Sequence, residues 1–462
     1  MFDRRIYMNR RKALKKRIGS GLILFLGHDD SAMNFPENMY RFRQDSSFLY
    51  YFGLSTPGLS AVLDVDKGAE ILFGVEHDLN DVLWMGQQPT LKEKALKCGI
   101  EETAQPPHLE TVVKKCLRRG GKIHFLPPYR PETLLKLQGL LGIHPNAVAD
   151  HVSEALIRAV VEQRSTKIPE EIEEIEKALA ITWEMQTTAM KAAKAGINEI
   201  DIAGIMEGIA LRKGSRLAFP MILTINGQIL HNHYQGHDLV DGRLLVNDSG
   251  AESPLHYASD ITRTIPVGGK FDTRQREIYE LVLKAQDKAF QMIRPGVNYQ
   301  DVHREAALTI AGGLLDLGFL KGRIDDIFQE GIHALFFPHG LGHMLGLDVH
   351  DMESLGEEFV GYDEKTERSR TFGFAQLRLG RELKPGFVLT VEPGLYFIPA
   401  LIDKWRSERR FTDFINYDKA ETYKDFGGIR LEDDVLVTEN GCRLLGKPIP
   451  RTVREIEEIT LM

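Results

Sequence analysis

Cysteine is nearly absent from this chain. Only Cys98, Cys116 and Cys442 occur among 462 residues, an odd number at unpatterned spacings. That excludes a disulfide framework and suits a reducing compartment, the cytoplasm by default. Long apolar runs are missing as well. The stretch 21–26 follows a basic amino terminus, but it is short for a signal segment and leads into Gly27-His28-Asp29-Asp30 without a cleavage site. It reads as a first buried strand. No other segment is long and apolar enough to span a bilayer. Positive charge is not in excess: 58 basic against 66 acidic residues leave a net charge of −8, which argues against nucleic-acid binding. There is no low-complexity tract, convincing short repeat, Ser-His-Asp elbow, P-loop or Rossmann fingerprint. Gly312-Gly313 lies inside a helical pattern and Gly268-Gly269 follows a strand; both read as packing or turn positions.

What is present describes a globular protein, 43% hydrophobic and 27% charged, too long for one ordinary core. Short apolar runs at 22–26, 59–65, 69–75 and 122–126 alternate with helix-like stretches, an α/β pattern. A boundary near 165 predicts two domains, 1–165 and 166–462. Pro169 stands where a first helical residue belongs, with Glu170 and Glu171 in the first turn, favourable to the helix dipole. Ile172, Ile175, Leu179, Trp183 and Met190 continue a helical stripe towards Gly196. Asn198 caps a second helix that stops at Gly214, and two more helices are predicted over 274–293 and 300–317. The stretches 353–384 and 400–425 read as loops or excursions.

Asp248, Asp260, His343, Glu392 and Glu432 carry the chemistry. Taken singly, an aspartate is more often a turn or cap residue, and a histidine a structural group. Together, four carboxylates and one imidazole match the charge of two divalent cations. Without cations, crowding would raise the carboxylate pKa values or drive the groups apart. Most of these residues fall in strand-like context, and twelve residues separate Asp248 from Asp260, so a hairpin can bring both carboxylates to one side. Glu392 precedes Pro393-Gly394, which ends its strand at the sheet's rim. Arg430 and Glu432 alternate onto one face of a strand over 429–437, and Arg430 can orient ligand carboxylates. His339 and His343 have zincin spacing, but Gly340 occupies the place of the catalytic glutamate and the zincin reading is rejected. Oxygen ligands with one imidazole suit Mn2+, with Co2+ or Zn2+ as alternatives. Two ions about 3.5–4 Å apart would share a water, lower its pKa and deliver hydroxide to a carbonyl.

With these motifs in place (VNDSGAE, YASDITRT, HGLGHMLGLDVHD, LTVEPG and GIRLEDD), the chain resembles the proline-specific metallopeptidases of the creatinase/methionine aminopeptidase superfamily, Xaa-Pro aminopeptidase and prolidase. An apparent extra residue near Glu252-Ser253-Pro254 is absorbed in the hairpin turn. The resemblance implies a creatinase-type amino-terminal α/β domain followed by a pita-bread catalytic domain. It implies that Asp260 and Glu432 bridge two ions, that Asp248 completes one site and that His343 and Glu392 complete the other. Glu392 would also handle the proton of the attacking water. His231, His339 and His350 would hold substrate and stabilise the oxyanion, His233 and His237 being bystanders. Arg378 resembles a substrate-contacting arginine. Trp84, in VLWMGQQ, resembles a tryptophan that lines a neighbouring subunit's pocket, which implies a homodimer or homotetramer. The expected activity is Xaa-Pro aminopeptidase on proline-containing peptides, with no nucleic-acid or membrane partner. The alternatives are Xaa-Pro dipeptidase, a non-catalytic binding protein of the same fold, or a metal-free amidinohydrolase of creatinase type.

Overall fold

A computed structural model describes all 462 residues. They fall into two compact units: Met1–Arg164 with Ser354–Phe359, and Ser165–Glu353 with Val360–Met462.

The first unit opens with the helix Arg4–Ile18, capped by Asp3. The helix buries charged residues, and Arg11 is fully enclosed. Its guanidinium meets Glu70 at 2.8 Å and donates to the carbonyls of Tyr51 and Cys98. A buried arginine is tolerated only when its donors are satisfied in this way. Five strands follow: β1 (Leu22–Leu26), β2 (Ser60–Asp64), β3 (Ala69–Phe73), β4 (Glu102–Ala104) and β5 (Ile123–His124), in the order β4-β3-β2-β1-β5. β1 is antiparallel to β2 and parallel to β5. The expected strand at 21–26 is therefore paired on both sides, and its Leu22 and Leu24 join Val62, Phe73, Val113 and Phe125 in the core.

The second unit begins with the helix Pro169–Ala192. Pro169 is at the first helical position, and Glu171 accepts the Ile168 N–H at 3.1 Å, satisfying a donor the helix cannot. The helix stops at Ala192, short of Gly196. Asn198 caps the helix Glu199–Arg212, and the helices Thr273–Met292 and Tyr299–Asp316 lie where periodicity predicts them. Strand β6 (Ile222–Thr224) pairs with β7 (Leu244–Ser249), which pairs with β8 (Ile261–Pro266) so that Asp248 faces Thr262. The expected hairpin is present. Gly250 lies at its mouth, where an added Cβ would sit 1.7 Å from the Ser259 carbonyl. The extra length near 252–254 is taken up in a tight loop in which Ser253 N–H donates to Tyr257 O and His256 takes a positive φ of 69°. Behind the hairpin, Gln186 donates to both Ser249 Oγ and Ile261 O and accepts from Asn247.

The remaining strands are β9 (Val388–Val391), β10 (Gly394–Tyr396), β11 (Gly428–Arg430), β12 (Asp433–Val437) and β13 (Cys442–Leu444). Here two expectations are corrected. The strand predicted over 429–437 is broken at Leu431-Glu432, because Arg430 pairs with Gly394 on β10 whereas Asp433 pairs with Val391 on β9. The chain crosses from one ladder to another, and Glu432 sits in the crossing. The stretch 400–425 is not a plain loop: it holds the helices Pro399–Ser407, with Pro399 at its start and Ile402 and Trp405 buried, and Tyr417–Glu421. The stretch 353–384 is mostly irregular, with a 3-10 helix at Glu353–Leu355 and a short α-helix at Glu357–Gly361. No helix is long and apolar enough to cross a membrane.

Candidate metal centre and cleft

Asp260, His343 and Glu432 converge, all buried, with one ligand atom from each within 4.8 Å of the others. Different elements deliver them: Asp260 just before β8, Glu432 from the crossing between β11 and β12, and His343 from a glycine-rich segment. That segment passes so close to β9 that a Cβ on Gly342 would stand 2.1 Å from the Thr390 carbonyl. Only glycine permits this approach. Glu392 follows β9 directly, and its Oε1 is 3.8 Å from His343 Nε2. Asp248 is not in the tight triad. Its Oδ2 accepts from Arg430 Nη2 at 2.5 Å, while its Oδ1 is buried without a hydrogen-bond partner.

The neighbours of these five residues orient them. The Nδ1 of His343 faces the Met344 carbonyl at 3.1 Å. A carbonyl can only accept, so Nδ1 carries the proton and the Nε2 lone pair faces Asp260, Glu392 and Glu432. That is the tautomer a metal ligand needs. Thr262 donates its hydroxyl to Glu432 Oε2 at 2.7 Å, and Asp260 N–H donates to the Asp434 carboxylate at 3.0 Å. By the same logic His339 Nδ1 donates to Gly340 O at 2.8 Å, so its Nε2 accepts from the Tyr396 hydroxyl, which itself accepts from Arg430 Nη1. Arg430 thus holds Asp248 with one nitrogen and Tyr396 with another.

Electrostatics explain why the group needs cations. Burial, then Asp248, Asp434 and Glu392, drive the Asp260 pKa well up; burial, then Asp260 and Glu392, do the same to Glu432. Glu392 is raised by burial, with His343 and Arg430 pulling the other way. Burial also opposes the charge of Arg430, but Tyr396, Asp248 and Glu392 outweigh it and keep the guanidinium protonated. One arginine cannot neutralise four carboxylates. Asp248 Oδ1, Asp260 Oδ1 and Glu432 Oε1 are all buried without a hydrogen-bond partner, an arrangement that is costly unless a bound ion satisfies them. The residues present therefore fit a metal centre.

Around them opens a cleft of about 750 Å³, lined by the five residues together with His231, His233, His339, His350, Arg378, Arg430 and others. The sequence-predicted residues of the second unit are brought together; Trp84, expected at a neighbouring subunit's pocket, is 82% exposed in the first unit. His237, expected as a bystander, is engaged by Glu199 at 2.9 Å; His233, grouped with it, lines the cleft. His350 faces Glu353 at 3.2 Å, and Glu353 also holds Arg378 at 2.5 Å. His231 makes no hydrogen bond. Burial and Arg430 lower its pKa, while burial and Arg430 take that of His339 down to about 3. Both rings are neutral at pH 7. Sequence reasoning missed Tyr396, Thr262 and Lys404. The first two flank predicted ligands in strand context, whereas nothing local marks Lys404.

Comparison with known proteins agrees with this geometry. Residues 173–439 match Metallopeptidase family M24, and residues 7–124 match the Aminopeptidase P, N-terminal domain. The chain is 31% identical to human Xaa-Pro dipeptidase over 94% of its own length and 88% of that protein. It is 33% identical to a probable Xaa-Pro aminopeptidase of Aspergillus clavatus, covering 90% of this chain and 88% of the relative. Among solved structures, proline aminopeptidase P II from Yersinia pestis superposes with a TM-score of 0.82 at 29% identity over all of both chains. A zinc-substituted Escherichia coli aminopeptidase P in complex with product gives 0.81 at 29% identity, covering 100% of this chain and 98% of that one.

Proposed function

The chain belongs to metallopeptidase family M24 and is a peptide hydrolase of the Xaa-Pro aminopeptidase and dipeptidase group; from that premise we propose that it is an Xaa-Pro aminopeptidase with two divalent metal ions, Mn2+ by preference. The observation that carries this is the convergence of Asp260, His343 and Glu432 with orphaned buried oxygens. Asp248, Asp260, His343, Glu392 and Glu432 would hold the two ions, which would supply Lewis-acid polarisation of the scissile carbonyl and a more acidic water.

The protein's own groups do the rest. Glu392 has the most accessible side chain of the five, 20% exposed against 11% for Asp248, 7% for Asp260, 3% for His343 and 2% for Glu432. It takes a proton from the attacking water and returns it to the departing prolyl nitrogen, which as an imide nitrogen has none of its own. His339 spends both ring nitrogens on Gly340 and Tyr396, so it positions Tyr396. His231, with no such bonds, is the ring able to donate to the developing oxyanion. His350 and Arg378, joined through Glu353, face the bound peptide.

The breadth of the cleft, about 750 Å³ within a usual range of about 300–1,000 Å³, supports peptides longer than two residues. Identity to human Xaa-Pro dipeptidase favours the second reading. Assaying Xaa-Pro against Xaa-Pro-Yaa-Zaa on purified enzyme decides between them: turnover of both lengths is expected, and hydrolysis of dipeptides alone overturns the proposal. The spans 1–165 and 166–462 are proposed as amino-terminal and catalytic domains, supported by the matched ranges. A homodimer or homotetramer and a cytoplasmic location complete the reading, the latter supported by three free cysteines.

A further inference from the structure

The helix Pro399–Ser407 contributes to the cleft in a way the metal chemistry does not use. Ala400, Leu401 and Lys404 line the cleft, at the spacing that puts residues on one helical face. Ile402 and Trp405 point the other way and are buried. The helix carries two basic residues in its last turn, Lys404 and Arg406. Arg406 pairs with Asp418 and Glu421, and the neighbouring Asp403 pairs with Lys424. Lys404 has no acidic partner, although it faces a cleft that binds peptide.

The basic groups within ion-pair distance of the five metal-site residues' carboxylates are Arg430, His339 and His343. Lys404 is not one of them, so its ammonium is not spent on the metal ligands. The surroundings there are apolar: Phe372, Ile398 and Leu401, with the Phe372 ring 6.1 Å from Trp405. A lysine stem packs along such a surface while its head stays available. An aminopeptidase places one residue before the scissile bond, so cleft surface not taken by the metal ligands, Lys404 included, is left mainly to the residues after proline.

We propose that Lys404 is a specificity residue that receives a carboxylate on the leaving side of the peptide, either the terminal carboxylate of a short peptide or an acidic side chain after proline. This rests on the aminopeptidase reading above, since a dipeptide has no residue beyond proline.

The test compares kcat/KM for Ala-Pro-Ala with its carboxy-terminal amide, and for Ala-Pro-Glu-amide with Ala-Pro-Gln-amide, in the metal-loaded wild type, Lys404→Ala, Lys404→Glu and Lys404→Arg. An ion pair of this exposure corresponds to a preference of up to about fivefold. In the wild type the acid of at least one pair is favoured by about that factor: the first pair reports the terminal carboxylate, the second the side chain. The preference falls to about one in Lys404→Ala, reverses in Lys404→Glu and returns in Lys404→Arg. Tripeptide cleavage with the same acid-to-amide ratio in wild type and Lys404→Ala overturns the Lys404 assignment alone. Failure of the wild type to cleave any tripeptide overturns the aminopeptidase reading, and the subsite with it.

Discussion

Thr262 donates its hydroxyl to Glu432 and receives Arg430 Nε at 3.3 Å, so one small side chain links two supports of the metal centre. Removing such an orienting partner weakens metal affinity by about 10–100-fold. Thr262→Val is expected to show that loss by calorimetric titration with Mn2+, while Thr262→Ser retains most of the affinity. Asp260→Ala and Glu432→Ala should abolish peptide hydrolysis and leave far-ultraviolet circular dichroism close to wild type; full turnover in either refutes its proposed place in the metal centre. A different residue-scale effect comes from His303 and His333, buried among Phe328, Phe337 and Phe374. For His303, burial, then His333 and His339, lower the pKa to about 3; for His333, burial lowers it to about 4. Both folded values lie below the ordinary 6.5, so the unfolded chain binds more protons between them. Stability from these rings is full above pH 6.5 and declines as the pH falls towards 4, by up to about 1.4 kcal/mol per pH unit for each ring. Urea unfolding across pH 4–7 should show a shallower acid slope in His303→Leu than in the wild type. An identical slope removes the histidines from the account.

Between elements, the most consequential tie is the ion pair of Lys167 and Asp351, 3.0 Å apart with both side chains 1% exposed. It joins the approach to the Pro169–Ala192 helix to the turn that carries His350. Breaking a buried pair from one side costs about 3–5 kcal/mol, whereas replacing both partners with apolar groups is often neutral. Lys167→Met should therefore lower unfolding stability by about that amount, and Lys167→Met with Asp351→Leu should recover most of it. A double variant no better than the single one would show that Asp351 matters for other contacts. Element-scale features also mark where sequence reading stopped. The Asp248–Asp260 hairpin was legible because two strand-like runs flank residues only twelve apart. The Pro399–Ser407 helix was passed over although Pro399 and the Ile402–Trp405 spacing were in view, because charged residues around them hid a two-residue apolar stripe. The amino-terminal helix went unread for a stronger reason: its buried face includes Arg10 and Arg11, whose partners come from distant segments.

At the scale of the whole molecule, the proposed ligand set follows from a charge argument, and its five members line one cleft. What sequence could not contain was the hydrogen-bond chain through Arg430, Tyr396 and His339, since it depends on two ladders meeting. A ligand that binds only the folded state stabilises it by about 2.7 kcal/mol at a hundredfold excess over Kd. Addition of Mn2+ to chelator-treated protein should raise the unfolding midpoint in thermal scans, and no shift with any divalent transition metal counts against a metal centre here. The pairing of Tyr396 with Gly428 has a further consequence. The segment 397–427 leaves and returns through one hydrogen-bonded neck, and it is tied a second time to 319–321, with Asn416 N–H donating to Phe319 O and Lys321 N–H to Phe414 O. A grafted segment that keeps both the neck and these ties would bring its own cleft lining to a frame that still holds Glu392 and Glu432.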